Sequence, residues 1–171
     1  MERCDGGVLE EDRFNAFLNL LQAYSVLTTR IGAELHASTG LSLPEHEVLM
    51  RLSQASKQGL RMLDLSSFLL ISKSGVTRVI DRLERRGLVT RKMAKEDRRV
   101  VRVEPTAAGR KALNAASPVL ASAIEDYFSS HLSDNDVDRL RAGLRKLLEA
   151  NGVWNETVCD PSLGAEEVPA G

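Results

Sequence analysis

The sequence predicts a mainly α-helical fold carrying a small β-hairpin wing. Three observations predict it. Apolar residues recur at three- and four-residue steps in long segments at both ends of the chain and in a short one at its middle. Ser, Thr and Gly punctuate those segments where helices start and stop. Two short β-leaning runs, Leu88 to Met93 and Val100 to Glu104, flank the charged stretch Ala94-Lys95-Glu96-Asp97-Arg98-Arg99. The chain has 171 residues, enough for one domain with a sizeable core. Aromatics are only 4%, so that core must be aliphatic.

The elements follow in order. Residues 1–12 are polar and acidic and are expected to be a flexible N-terminus. A long helix starts at Arg13, with Phe14, Phe17, Leu18, Leu21, Tyr24, Ile31 and Leu35 on one stripe, and Gly40 ends it. Ser42-Leu43-Pro44 opens a second helix, with Pro44 in the first turn, where its missing N–H costs nothing. Val48, Leu49 and Leu52 form its apolar face, and Gln58-Gly59 breaks it. Leu60 to Leu70 predicts a short strand followed by a short helix. Ser72 is a favourable N-cap for the helix Lys73 to Arg86, whose inner stripe is Val76, Val79, Ile80 and Leu83. Gly87 stops that helix at a position that favours a left-handed backbone. After the two β-leaning runs, Thr106 caps a helix reaching about His131, which Pro118 is expected to kink or interrupt. Ser133 to Asp136 resembles a capping box and starts the last helix. Val137, Leu140, Leu144, Leu147 and Leu148 make a heptad-like seam on it, too apolar to leave exposed. Residues 151–171 are expected to be a flexible acidic tail.

Charge is segregated along the chain. Between Ser72 and Arg102 there are eleven Lys/Arg against four Asp/Glu, a net +7, while the remainder carries −8. A basic block in an acidic chain is the footprint of a polyanion binder, although a solvated helix face has the same composition. Other classes find little support. The N-terminus lacks the apolar region of a signal peptide, and no apolar run approaches a membrane span. Cys4 and Cys159 are too few for a disulfide framework, which suits a reducing, cytoplasmic compartment. His36, His46 and His131 are scattered without metal-ligand spacing, so no metal site is expected, and His46 is expected at the surface. No nucleophile–base pair, paired-carboxylate site or phosphate loop stands out, so no enzyme is expected and no cofactor is assigned.

The element order, ending in a Ser-capped helix and a basic hairpin, is the winged helix-turn-helix layout. Ser72, Lys73, Ser74, Gly75, Thr77 and Arg78 occupy the first turns of the capped helix, where such a helix meets base edges in a major groove. Arg78 has the fork to contact a guanine, and the hairpin tip with Arg98 and Arg99 is narrow enough for an adjacent minor groove. Arg82, Arg85 and Arg86 lie later on the helix. They are equally suited to phosphate contact, to pairing with Asp81 and Glu84, or to water.

The stretch ISKSGVTRVIDRLERRGLVTRKMAKEDRRVVRVEPTAAGRKAL resembles the MarR family of bacterial regulators. The matching elements are SGVTR, DRLERRGLV, Asp97-Arg98-Arg99 and Thr106-x-x-Gly109. The resemblance is dense from Arg61 to Leu113 and weaker from Arg13 and through Leu148. It departs at Leu63, where a capping Ser or Thr is usual, at Leu70, a turn position often Gly, and at Pro105.

The resemblance implies a sequence-specific, ligand-responsive DNA-binding transcription regulator, of repressor type, acting as a homodimer on a palindromic operator. It divides the chain into a winged helix-turn-helix DNA-binding domain at 41–105 and a helical dimerisation region at 13–40 and 106–150. Phe14, Phe17, Leu21, Val137, Leu140, Leu144 and Leu147 are the dimerisation residues. Thr77 and Arg78 would face the major groove and Arg99 the minor groove, with Asp97 bracing the tip; Arg82 and Lys95 complete the DNA-facing set. The implied partners are double-stranded DNA, a second copy of the chain and a small aromatic effector whose binding residues the sequence does not single out. A winged-helix module that binds protein in place of DNA is the alternative, and Lys73, Arg78, Arg98 and Arg99 together argue against it.

Overall fold

The computed structural model describes residues 11–55, 59–68, 73–93 and 100–152. Among them lie six α-helices, α1 (Glu11–Thr39), α2 (Leu43–Gln54), α3 (Met62–Phe68), α4 (Lys73–Arg85), α5 (Ala107–Tyr127) and α6 (Asp134–Ala150). Three short strands, β1 (Leu60–Arg61), β2 (Val89–Met93) and β3 (Val101–Pro105), form an antiparallel sheet in the order β1-β3-β2. The expected hairpin is therefore widened by a third strand: Leu60 pairs with Val103 on one edge of β3, and Arg91 pairs with Val103 on the other. Pro105 ends β3, where its missing N–H breaks no further ladder bond.

Local chemistry sets the helix ends. Ser42 and Glu45 form a capping box on α2, and Ser133 and Asp136 form one on α6. At the end of α4, the Leu88 N–H donates to the Leu83 carbonyl and the Gly87 N–H to the Glu84 carbonyl, a Schellman closure with Gly87 at φ 68°. At the start of α5, the Thr106 hydroxyl donates to the Gly87 carbonyl at 2.7 Å and accepts from the Gly109 N–H at 3.0 Å. Gly109 presses against the start of β2 so closely that a Cβ would stand 2.0 Å from the Leu88 carbonyl oxygen. The Thr106-x-x-Gly109 motif is thus a weld between the wing and α5.

The core is aliphatic. Leu35, Leu41, Leu49, Leu65, Ile80 and Leu83 are fully buried, and among the described residues every buried apolar side chain is Leu, Ile, Val or Ala. This core joins α1, α2, α4, the sheet and α5. Outside it, two apolar faces stay uncovered. The first half of α1 exposes Phe14, Phe17, Leu18 and Leu21, with Phe17 at 55%. No residue of α6 is buried, and Leu147 is 54% exposed.

The structure departs from the sequence expectations at several points. The first helix begins at Glu11, two residues earlier than expected. Pro118 does not interrupt α5, which runs unbroken from Ala107 to Tyr127. Asn114 and Pro118 are both exposed, so the carbonyl that loses its donor has access to water. The helix ends at Tyr127, and a 3-10 turn over Ser129–His131 completes the segment.

His46 is buried at 4% exposure rather than lying at the surface, because α2 turns it toward α5. Its Nε2 lies 3.4 Å from the Ser117 hydroxyl, whose own proton goes to the Leu113 carbonyl, so the imidazole donates. Burial pushes the His46 pKa below its ordinary 6.5. The unfolded chain therefore binds this proton more readily than the folded one. Stability is fully present above about pH 6.5 and falls as pH drops toward the folded value. We expect His46→Gln to flatten the dependence of melting temperature on pH between neutrality and mild acid. An unchanged slope in thermal melts would show that His46 is not the titrating group.

Candidate nucleic-acid interface

Helix α4 has two faces because its sequence repeats with helical period. Val76, Val79, Ile80 and Leu83 are buried against the core. Ser74, Thr77 and Arg78 are exposed on the opposite side, and Asp81 lies on the same stripe by its spacing. Arg78 is exposed and, among the described residues, has no ion-pair partner. Gly75 is half-buried in the first turn, and Lys73 is the first residue of the helix. Ser72, Lys95, Asp97, Arg98 and Arg99 lie outside the described residues, as do Cys4, Trp154 and Cys159.

The basic residues from Arg82 to Arg86, at and just past the end of α4, are distributed unlike the earlier ones. Arg82 donates from Nε to Glu45 Oε1 at 3.1 Å. Arg86 donates to the Gly40 carbonyl at 3.0 Å and lies 3.5 Å from Glu45 Oε2. Arg85 donates to the carbonyl of Asp81 at 3.2 Å. Arg82, expected on the DNA-facing side, is thus turned toward α2. Glu45 itself is 4% exposed. Burial raises its pKa, but the Ser42 N–H, the Arg82 guanidinium and the Ser42 hydroxyl outweigh that and hold it below the ordinary carboxylate value. The buried charge is kept because it is fully bonded.

A cleft of about 480 Å³ opens where these residues meet, lined by His36, Gly40, Ser42, Glu45, Arg82, Arg85 and Arg86. It joins the end of α1, the start of α2 and the far end of α4.

On the wing side, Arg91 of β2 bonds back to α4. Its NH2 donates to Asp81 Oδ1 at 2.6 Å, its NH1 donates to Glu84 Oε2, and its backbone N–H donates to Glu84 Oε1 at 3.1 Å. Burial lowers the Arg91 pKa, and the bonds to Asp81 and Glu84 more than offset this. Across the sheet, Lys92 pairs with Glu104.

Sequence reasoning overlooked Glu45 and gave Arg91 no role beyond its charge. The capping-box pattern Ser42-x-x-Glu45 was a legible signal for the first. The Arg91 bonds depend on how β2 returns along α4, and no local pattern announces that. No helix among the described residues is long and apolar enough to cross a membrane.

Helices α2 and α4 packed by their apolar faces into one core, an exposed polar stripe on α4 and a sheet beside it define a winged helix-turn-helix protein. The MarR family model matches residues 41–101. The transcriptional regulator HosA of Escherichia coli O111:H- is 30% identical over 138 residues, covering 81% of this chain and 98% of HosA. The chain belongs to the MarR family of transcriptional regulators.

Two solved structures share its fold. Sco3205 of Streptomyces coelicolor, a MarR family regulator in complex with DNA, has a TM-score of 0.80 at 20% identity, over 86% of this chain and 92% of its own. CouR of Rhodococcus jostii RHA1, bound to p-coumaroyl-CoA, has a TM-score of 0.66 at 24% identity, over 83% and 95%.

The two arginine sets separate by measurement. Glu45→Ala removes a capping box and frees two half-exposed guanidiniums, so urea denaturation should show a loss of roughly 1–2 kcal/mol. Arg82→Ala should cost less than about 1 kcal/mol, and Arg78→Ala should stay within about 0.5 kcal/mol of the parent. Equal losses at Arg78 and Glu45 would contradict this division of roles.

Proposed function

We propose that this chain is a homodimeric repressor that binds a palindromic DNA operator and responds to a small-molecule effector. The observation that carries the reading is the exposed stripe Ser74, Thr77 and Arg78 on a helix whose other face is locked into the core. A side chain on a rigid helix meets a base edge with little further loss of conformational freedom. Arg78 is the base-reading residue, its fork matching the two acceptors of guanine. Ser72, Lys73, Ser74, Gly75 and Thr77 complete the major-groove surface. Lys95, Asp97, Arg98 and Arg99, between β2 and β3 in sequence, complete the DNA-facing set, with Arg99 assigned to the minor groove. Arg82 acts from behind, holding α4 to α2.

The uncovered faces support the dimer. Phe14, Phe17 and Leu21 on α1, and Leu140 and Leu147 on α6, are exposed in the protomer. Burying each such side chain stabilises by ~1.5–3 kcal/mol, so two copies have much to gain by pairing these faces. Val137 and Leu144 lie on the same seam of α6. For the effector, the cleft at the end of α4 is the candidate seat. Three guanidiniums around one carboxylate favour an organic anion there, and CouR, which shares this fold, is bound to p-coumaroyl-CoA.

Operator affinity should fall steeply from low to physiological salt, because phosphate contacts release counterions. Arg78→Ala should lose affinity and relax preference at one symmetric base position, by ~1–3 kcal/mol. Arg99→Ala should weaken binding more evenly, varying with A·T content beneath the wing. Titrations against single-base operator variants check both, and a uniform loss for Arg78→Ala would make it a phosphate contact. Sedimentation at micromolar concentration should find the parent dimeric and Leu144→Asp shifted toward monomer. A monomeric parent would overturn the assembly.

A further inference from the structure

We propose that Arg91 is a positioning residue for DNA binding: it clamps the first strand of the wing to α4, so that helix and wing meet DNA as one preset body. The inference rests on the DNA-binding reading given above and goes beyond it.

The starting point is an oddity of charge. Asp81 lies on the same stripe of α4 as Ser74, Thr77 and Arg78. Glu84 is one turn further along. Two carboxylates on a helix that approaches phosphates work against binding unless something neutralises them. Arg91 does this from β2. The guanidinium spans one helical turn, with NH2 on Asp81 and NH1 on Glu84, while Glu84 also accepts from the Arg91 backbone N–H. The side chain is only 25% exposed, so the bridge is partly shielded from water. A planar guanidinium reaches two carboxylates at once, which a lysine ammonium does with less geometric fit.

The bridge fixes more than one strand. Arg91 sits opposite Val103 in the β2–β3 ladder, and Lys92 next to it pairs with Glu104 of β3. A restraint on Arg91 is therefore a restraint on both strands that carry the wing tip. The Schellman closure at Gly87 anchors the near end of β2 to α4, and Arg91 supplies a second anchor further along. Two anchors define a direction where one defines only a hinge.

The rival role for Arg91 is a direct phosphate contact. The two roles predict opposite signs when the acids are neutralised. As a clamp, Asp81→Asn with Glu84→Gln removes the anchor and weakens binding. As a phosphate ligand, the same double change frees the arginine, removes two repulsive charges and tightens binding.

The test uses the full-length parent, Arg91→Met, Arg91→Lys and the Asp81→Asn/Glu84→Gln double variant. Operator affinity is titrated at several salt concentrations, with hydroxyl-radical footprints of each complex. Arg91→Met and the double variant should each bind roughly fivefold to twentyfold more weakly, the scale of ordering a few side chains at the interface. Protection should fade under the wing while the base preference read by Arg78 and the salt slope persist. Arg91→Lys should recover only part of the loss.

Hydrogen exchange on the free proteins gives a readout without DNA. Amides of β2 and β3 should exchange faster in Arg91→Met and in the double variant, with α4 unchanged. Tighter binding by the double variant, parental affinity in Arg91→Met, or unaltered strand exchange would each overturn the proposal. A parent that binds no operator duplex would sink the DNA-binding reading together with the positioning role, and exchange would still show whether the clamp exists.

Discussion

The seating of α4 depends on the carboxylate of Glu45. It caps α2 through Ser42, and from the same buried position it accepts from Arg82 and lies beside Arg86. Arg86 in turn holds the Gly40 carbonyl, at the turn between α1 and α2. One side chain thereby joins the end of the first helix, the start of the second and the far end of the fourth. A buried charge is costly unless each of its bonds is made, and that cost makes the arrangement selective: displacement of α4 leaves a desolvated carboxylate unpaired. The aliphatic contacts of Val76, Val79, Ile80 and Leu83 supply most of the stabilisation but are less directional.

Seen from this anchor, the charges on and just beyond α4 sort by the element they face. The first turns carry exposed groups, with Arg78 unpaired among the described residues. The middle carries Asp81 and Glu84, both tied to Arg91. On the side facing α2, Arg82 and, just past the helix, Arg86 are tied to Glu45 and Gly40. The basic block between Ser72 and Arg102 is therefore divided. Part of it bonds helix and wing into one piece, and part is left for an outside anion. The cleft at the far end of α4 lies where a bound anion would compete with Glu45 for the same guanidiniums. On the proposed reading, effector and DNA would take opposite ends of that helix, a shared element through which two sites can couple.

Much of the fold was legible in the sequence wherever its causes are local. Ser42, Thr106 and Ser133 cap their helices, and Gly87 closes α4, because each acts on residues within a few positions along the chain. The apolar stripe of α4 was legible for the same reason, since burial repeats with helical period. Other features escaped because their partners are distant in sequence. His46 meets Ser117 and Glu45 meets Arg82 across many intervening residues, and nothing in either neighbourhood marks the encounter. Pro118 misled because its rule describes an isolated helix, whereas α5 is held along its length by α1 and α2.

By itself, then, the sequence determined the order of the helices and several of their caps, the aliphatic composition of the core, the hairpin, and through its motifs the family. Periodicity, capping and turn chemistry act over one or two turns, so they survive in the linear chain. Which charges remain available and which are spent inside the molecule was decided only by the tertiary structure. Arg78 and Arg82 are four residues apart on one helix and look alike in the sequence. The packing of α2 against α4 turns Arg82 onto Glu45, and the return of β2 along α4 brings Arg91 onto Asp81 and Glu84. Those pairings arise from the approach of whole elements, and long-range approach is set by the buried core they share rather than by any neighbouring residue.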